Sequence, residues 1–299
     1  MLYHKTEIKV GPNNMIIEGN NIYNMDCLEG MRLMDGNSVH LCITSPPYYN
    51  AKSYSHWPTY NKYLKWLKSV FSEVFRVLKK GRMCCVNISV IIEPRVKRSE
   101  ESTRIALPFH FVNIMEKIGF KFIEDIIWVK PEGSAKNRNG GFYQHRQPVA
   151  YKPNTINEYI FIFQKPTKGL IDKIVRAYKG DIKDKSLILG DYDKSNVWYM
   201  NPETASKHLA PYPLELSDKL IKYYSYIGDV VVDPFLGSGT TCISAINHSR
   251  TYIGFEIHEE YCDLATKRIR KNNWSNRLER GQLMAGLAPD PLPRILERL

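Results

Sequence analysis

The stretch DVVVDPFLGSGTTCISAINHSRTYIGFE, residues 229–256, decides the fold. Residues 229–233 hold three consecutive valines and read as a buried strand. Pro234, Gly237 and Gly239 then break the chain, a helix runs to about residue 248, and 251–256 reads as a second strand ending in Glu256. Strand, glycine turn, helix, strand is a βαβ unit, which belongs to a parallel sheet. The glycines let the backbone approach a ligand closely, and the helix start points N–H groups at it. No Gly-Lys-Ser/Thr follows, so this is not a nucleotide triphosphate loop. Residue 242 is Cys and not a third glycine, so the dinucleotide fingerprint is incomplete. An acid at the end of the second strand is placed to accept hydrogen bonds from ribose hydroxyls. Together these features predict a nucleoside site with no obvious pyrophosphate partner, and the alternative is an ordinary βα turn.

Outward from this unit, strands and helices continue to alternate. Strands are predicted at 21–24, 39–44, 83–92, 120–129 and 158–164, which with 229–233 and 251–256 makes seven. Helices are predicted at 26–34, 60–79, 105–118, 213–226 and 258–271. In the 60–79 helix Tyr63, Leu67, Val70, Phe71 and Val74 fall on one face, with Lys79 and Lys80 in the last turn and Gly81 after it. Pro108 is tolerated in the first turn of the 105–118 helix. Three segments interrupt the pattern: a charged loop at 93–104, a Gly-, Asn- and Pro-rich segment at 131–157, and a polar segment at 165–207. The pattern predicts an α/β fold with a largely parallel sheet.

A second motif, TSPPYY at 44–49, follows the 39–44 strand directly. Ligands of open parallel sheets bind beyond the carboxyl ends of the strands. Pro46 and Pro47 donate no N–H, so their carbonyls and the Ser45 hydroxyl form an acceptor array suited to an amino group. Tyr48 offers a flat face for a planar ring. A Pro-Pro turn with core-covering tyrosines is the competing reading.

The chain has 299 residues, 42 Lys+Arg against 31 Asp+Glu, and a formal charge of +11. That length buries a core without disulfide staples, and the charge points to a polyanionic partner. None of the six cysteines forms a C-x-x-C pair, and no Cys/His cluster has zinc spacing, so no metal is expected and reduced thiols fit a cytoplasmic protein. The N-terminal residues have no signal-like apolar core, and no stretch approaches the roughly 18–20 apolar residues of a membrane span.

In motif content and order the chain resembles the beta-group DNA amino-methyltransferases, which use S-adenosylmethionine. DPFLGSGTT at 233–241 is similar to their cofactor motif, and Ser45-Pro46-Pro47-Tyr48 to their catalytic tetrapeptide. NMDCLEGM at 24–31, DIIWVKP at 125–131, NEYIFIFQK at 157–165 and HLAPYPLELSDKLIKYYS at 208–225 also match. The resemblance spans about residues 20–272 and implies a doubly wound class I methyltransferase fold with a small target-recognition insert. It implies a catalytic half at 20–165, a recognition region at 166–207, a cofactor half at 208–272 and a C-terminal tail or extra helix at 273–299. It further implies cofactor contacts from Asp26, Cys27, Pro213, Asp233, Pro234, Phe235, Gly237, Ser238, Gly239, Thr240, Thr241 and Glu256.

The activity so implied is methyl transfer to an exocyclic amine of a base flipped out of double-stranded DNA. Ser at position 45, where the adenine branch carries Asp, resembles the N4-cytosine branch. N6-adenine methylation, an RNA or protein-amide substrate, and a catalytically inactive DNA-binding protein are the alternatives. Expected phosphate contacts are Arg95, Lys97, Arg98, Arg104, Arg138 and Arg146, although the 93–104 loop also carries three acids. Trp198 and Tyr192 either pack the recognition region or wedge into DNA, and packing is favoured. A cognate restriction endonuclease is a partner in function only, a homodimer is compatible with the chain, and the enzyme is expected in a bacterial or archaeal cytoplasm.

Overall fold

The computed structural model describes residues 17–50, 56–93, 102–134, 145–169, 171–203, 212–279 and 295–296. A single large sheet organises them. Its strands are β1 (Asn21–Asn24), β2 (Val39–Thr44), β3 (Leu78–Ile88), β6 (Lys121–Val129), β7 (Asn157–Gln164), β8 (Val197–Tyr199), β9 (Val230–Asp233), β10 (Thr251–Glu256) and β11 (Ile295–Leu296). The short strands β4 (Ile91–Glu93) and β5 (Thr103–Ile105) form a separate antiparallel pair. The large sheet runs β11-β1-β10-β9-β2-β3-β7-β6-β8, and only β7 is antiparallel to its neighbours.

All seven expected strands are present, although the one expected at 83–92 ends at Ile88 and Ile91 and Ile92 belong to β4, and the mostly parallel α/β architecture holds. The sheet is nonetheless nine-stranded, where seven were expected. β8 comes from the polar 166–207 segment, where Trp198 is buried opposite Trp128, while Tyr192 is exposed. β11 lies in the 273–299 segment and pairs with Ile22 and Tyr23. Two- and three-residue strands have too little alternation to be read from a sequence.

Alternation on the strands divides the core in two. Cys42, Val86, Phe161, Val232 and Phe255 face one side, and Leu41, Cys85, Ile162, Val231 and Tyr252 the other. The first side is covered by α1 (Cys27–Arg32), α2 (Tyr60–Val77) and α3 (Leu107–Ile118). The helices α4 (Asp172–Ala177) and α5 (Asp181–Lys185) lie in the segment between β7 and β8. The second side is covered by α6 (Leu214–Tyr224), α7 (Thr240–Asn247) and α8 (Glu259–Glu279). α2 buries Tyr63, Leu67, Val70, Phe71, Val74 and Val77 as its spacing requires, and the Thr59 hydroxyl caps it by accepting from Lys62 N. It ends at Val77, two residues earlier than expected. Leu78 pairs with Val39 of β2, so Lys79 and Lys80 are strand residues, and Gly81 bends that strand at a φ of +78°. α8 in turn runs on to Glu279, past the expected end at 271.

The two central strands, β9 and β2, send their helices to opposite faces: α7 follows β9 on one side, and α2 follows β2 on the other. A crevice must therefore open at their carboxyl ends. The opposite end of the sheet is closed by a buried charge cluster. Arg82 donates to both oxygens of Asp229 at 3.1 and 3.4 Å, and Asp229 also accepts from Tyr226 N (2.8 Å) and the Tyr178 hydroxyl (2.5 Å). His40 stands beside it and accepts from Val230 N (3.0 Å); burial lowers its pKa to about 4, so it is neutral there. Removing one partner of such a pair strands a charge in the core. Arg82→Met is expected to cost roughly 3–5 kcal/mol in urea unfolding, with part recovered by adding Asp229→Asn.

Candidate active site

The crevice is a cleft of about 750 Å³. Ser45, Pro46, Pro47 and Tyr48 reach it from the end of β2. Asp26 and Cys27 reach it from the end of β1, Pro234, Phe235, Gly237, Ser238 and Thr240 from the turn after β9, and Glu256 from the end of β10. The strand ends thus bring two motifs that lie nearly two hundred residues apart onto one cavity. Pro213, Asp233, Gly239 and Thr241, also expected at the cofactor site, are not among the lining residues.

Asp233 lies beneath the floor at 1% exposure. Four donors converge on it: the Thr44 hydroxyl at 2.6 Å and Phe235 N at 3.0 Å on Oδ1, and the Thr241 hydroxyl at 2.6 Å and the Tyr212 hydroxyl at 3.2 Å on Oδ2. Burial pushes its carboxyl above the ordinary aspartate range, while these hydrogen bonds pull it down. Thr44 immediately precedes the Ser45 tetrapeptide, so Asp233 ties the end of β2 to the glycine turn. Gly239 serves the same turn: it sits at a φ of +81°, where an added Cβ would stand 2.8 Å from Ala265 Cβ.

Glu256 is nearly buried and accepts from Gly237 N and His258 N, one on each oxygen, both at 2.9 Å. Burial raises its pKa above the usual glutamate value. Asp26 caps α1, with Oδ1 accepting from Leu28 N (2.8 Å) and Glu29 N (3.3 Å). At the other end of the cleft the Tyr48 hydroxyl donates to Glu158 Oε2 at 3.4 Å, and Lys130 Nζ pairs with Glu158 Oε1. Trp57 and Trp66 also line the cleft, 5.0 Å apart, and Trp66 packs 5.5 Å from Phe235.

Of the expected phosphate contacts, Arg104 donates to the Pro153 carbonyl at 2.8 Å, and Arg146 is exposed at a φ of +47°. Arg95, Lys97, Arg98 and Arg138 lie outside the described residues. Sequence reasoning missed Tyr212, Lys130 and Glu158 in the cleft lining. Each stands inside a stretch that matched a motif, but nothing local says that these side chains converge. Among the described residues no cluster of His, Cys, Asp and Glu could hold a metal ion, and no helix is long and apolar enough to cross a membrane.

The profile of the DNA methylase family, covering N6 and N4 enzymes, matches residues 39–267. The chain belongs to this family. The type II methyltransferase M.MjaI of Methanocaldococcus jannaschii is 30% identical over 278 residues, covering 79% of this chain and 86% of that protein. The type II beta methyltransferase M.BslI of a Bacillus species is also 30% identical, over 81% of this chain, although the alignment spans only 27% of its length. Among solved structures, a Thermus thermophilus protein assigned as a DNA modification methylase, in complex with S-adenosyl-L-methionine, is 28% identical. Its TM-score is 0.68 over 84% of this chain and 93% of that one.

In this DNA methylase the Asp233 junction makes the end of β2, with the tetrapeptide that follows it, and the glycine turn one unit. Asp233→Asn places an amide NH₂ against donors that now face a carboxylate oxygen. It is expected to destabilise the fold by about 1–3 kcal/mol and to disturb both motifs together. Thr241→Val, which removes a single donor, should cost about 1 kcal/mol. Thermal unfolding of the two variants checks the order.

Proposed function

We propose that this DNA methylase transfers a methyl group from S-adenosylmethionine directly to the exocyclic N4 amine of a cytosine flipped out of duplex DNA, as the modification enzyme of a restriction–modification system. The observation that carries the reading is the meeting of Ser45–Tyr48 with the Gly237–Glu256 wall on one cleft. The cofactor seen in the Thermus relative and the type II names of the curated relatives support it.

The residues fit the cofactor. Glu256 is fixed by two backbone N–H groups and presents carboxylate lone pairs of the kind that ribose hydroxyls seek. The turn residues Pro234, Phe235, Gly237, Ser238 and Thr240 and the α1 start at Asp26 and Cys27 would enclose the nucleoside. Asp233, Gly239 and Thr241 would act from below by shaping the turn, and Pro213 by starting α6. When bound, the cofactor supplies a methyl group on a cationic sulfonium.

The amine of cytosine is a poor nucleophile because its lone pair is delocalised into the ring. In the proposed chemistry the base lies on the Tyr48 ring, and the Ser45 hydroxyl and Pro46 carbonyl accept hydrogen bonds from the amino group. That orientation frees the lone pair toward the methyl and holds the departing proton at an acceptor. No covalent intermediate is invoked. All six cysteines are buried, and burial pushes the Cys27, Cys42, Cys85 and Cys242 thiols up, away from the reactive thiolate. Arg104, Arg146 and the arginines and lysine expected at 95, 97, 98 and 138 would meet the phosphates, and the 166–207 segment would recognise the target. Ser45 in place of Asp favours cytosine.

Ser45→Ala and Tyr48→Ala are expected to lower kcat on duplex DNA by roughly 10²–10³-fold while cofactor binding, followed by calorimetry, stays near wild type. Wild-type turnover by both variants would defeat the assignment. Nucleoside analysis of methylated DNA should show N4-methylcytosine; N6-methyladenine alone would transfer the same mechanism to adenine. Ribose recognition needs ionised Glu256, whose pKa burial raises. Cofactor affinity should therefore be full above that raised pKa and fall as pH drops through it, starting at a higher pH than an ordinary glutamate near 4.3 would give. Glu256→Gln should bind weakly and without this acid limb in the same titration.

A further inference from the structure

We propose that Glu158, held by Lys130, is a positioning residue that sets the plane of the Tyr48 ring and so the attitude of the target base; this rests on the reading of Tyr48 given above. All three residues line the cleft. Tyr48 stands on the loop after β2, whereas Glu158 and Lys130 stand on β7 and just past the end of β6. The Tyr48 ring packs against the core on one side of the sheet, and its hydroxyl is held separately, by Glu158.

The hold is built in steps. Trp128 of β6 is buried and donates its indole N–H to the Met200 carbonyl at 2.9 Å. Lys130 Nζ lies 4.6 Å from the centroid of that ring, a cation–π contact that restrains a long side chain. Trp128 is also the direct cross-strand partner of Glu158. The Lys130–Glu158 pair is therefore fixed from both strands, and its side chains are only 22% and 17% exposed. Glu158 Oε1 takes the lysine, and Oε2 accepts from the Tyr48 hydroxyl at 3.4 Å. Burial, with the Glu158 charge adding to it, keeps the Tyr48 phenol protonated, so it remains the donor. The tether thus runs from the sheet edge at β8 through Trp128, Lys130 and Glu158 to the stacking ring.

Two functions of the pair are separable by experiment. A wall that merely closes the cleft would be insensitive to the tyrosine hydroxyl, whereas a tether acting through that hydroxyl loses its effect when the hydroxyl is gone. Glu158→Gln, Lys130→Met, Lys130→Arg, Tyr48→Phe and the double variant Tyr48→Phe/Glu158→Gln are assayed in single-turnover methylation of duplex DNA, with cofactor affinity measured alongside. Glu158→Gln and Lys130→Met should slow the chemical step roughly ten- to a hundredfold, in line with small misplacements of reacting groups. Cofactor affinity should be unchanged, and Lys130→Arg, which keeps the ion pair, should restore most of the rate. In the Tyr48→Phe background, Glu158→Gln should cause no further loss. Wild-type rates for Glu158→Gln, or a full loss on top of Tyr48→Phe, overturn the positioning role. If Tyr48→Ala is fully active, the stacking reading itself fails, and that result is distinct from either of these.

Discussion

One buried carboxylate holds the site together. Asp233 ends the central strand β9 at the point where the sheet changes winding direction. An ionised carboxylate at 1% exposure is costly unless its lone pairs are satisfied, and four donors satisfy them here. The donors come from three places: Thr44 at the end of β2, Tyr212 ahead of α6, and the turn and helix that follow β9. A single charge therefore fixes the relative positions of the tetrapeptide, the glycine turn and the segment leading into α6. Satisfying the charge and assembling the cleft are the same event. This is how Asp233 shapes the cleft without facing it.

The other structural acid, Asp229, does the equivalent task at the amino end of the same strand. Paired with Arg82 of β3 and flanked by His40 of β2, it ties three strands together at the end of the sheet opposite the Ser45 cleft. β9 is thus pinned by a buried carboxylate at each end. The pins differ in kind. Asp229 is met by a guanidinium, which gives rigidity. Asp233 is met by hydroxyls and one N–H, while the Arg268 guanidinium braces the same turn from its other side by donating to Ser238 and Thr240.

The strand–turn–helix–strand unit at 229–256 was legible because its signals are local: three valines, glycines where the turn needs them, an acid at the following strand end. The same holds for the apolar face of α2, and for the tetrapeptide, whose prolines announce a fixed turn. The failures have one physical cause, since they depend on partners remote in sequence. Lys79 and Lys80 look like a helix end, but pairing of Leu78 with Val39 makes that segment strand. Val197–Tyr199 has no pattern of its own and becomes strand because β6 offers it an edge. Glu158 precedes a continuous apolar run in β7 and shares a face with the buried Ile160 and Ile162, so nothing local marks it. Only the convergence with Tyr48 and Lys130 distinguishes it.

Charge distribution completes the account. The chain carries +11, yet the described lining of its cleft includes Asp26, Glu158, Glu203 and Glu256 against Lys130. The positive excess then lies outside the cavity. An acidic cavity in a basic protein repels phosphate and admits neutral or cationic groups. A flipped base and a sulfonium are such groups, and a sugar–phosphate backbone is not. Under the proposed function, electrostatics would stop the duplex at the rim while the base alone enters. DNA affinity would then belong to the rim, where salt screens it, and the chemistry to a cleft that salt hardly reaches.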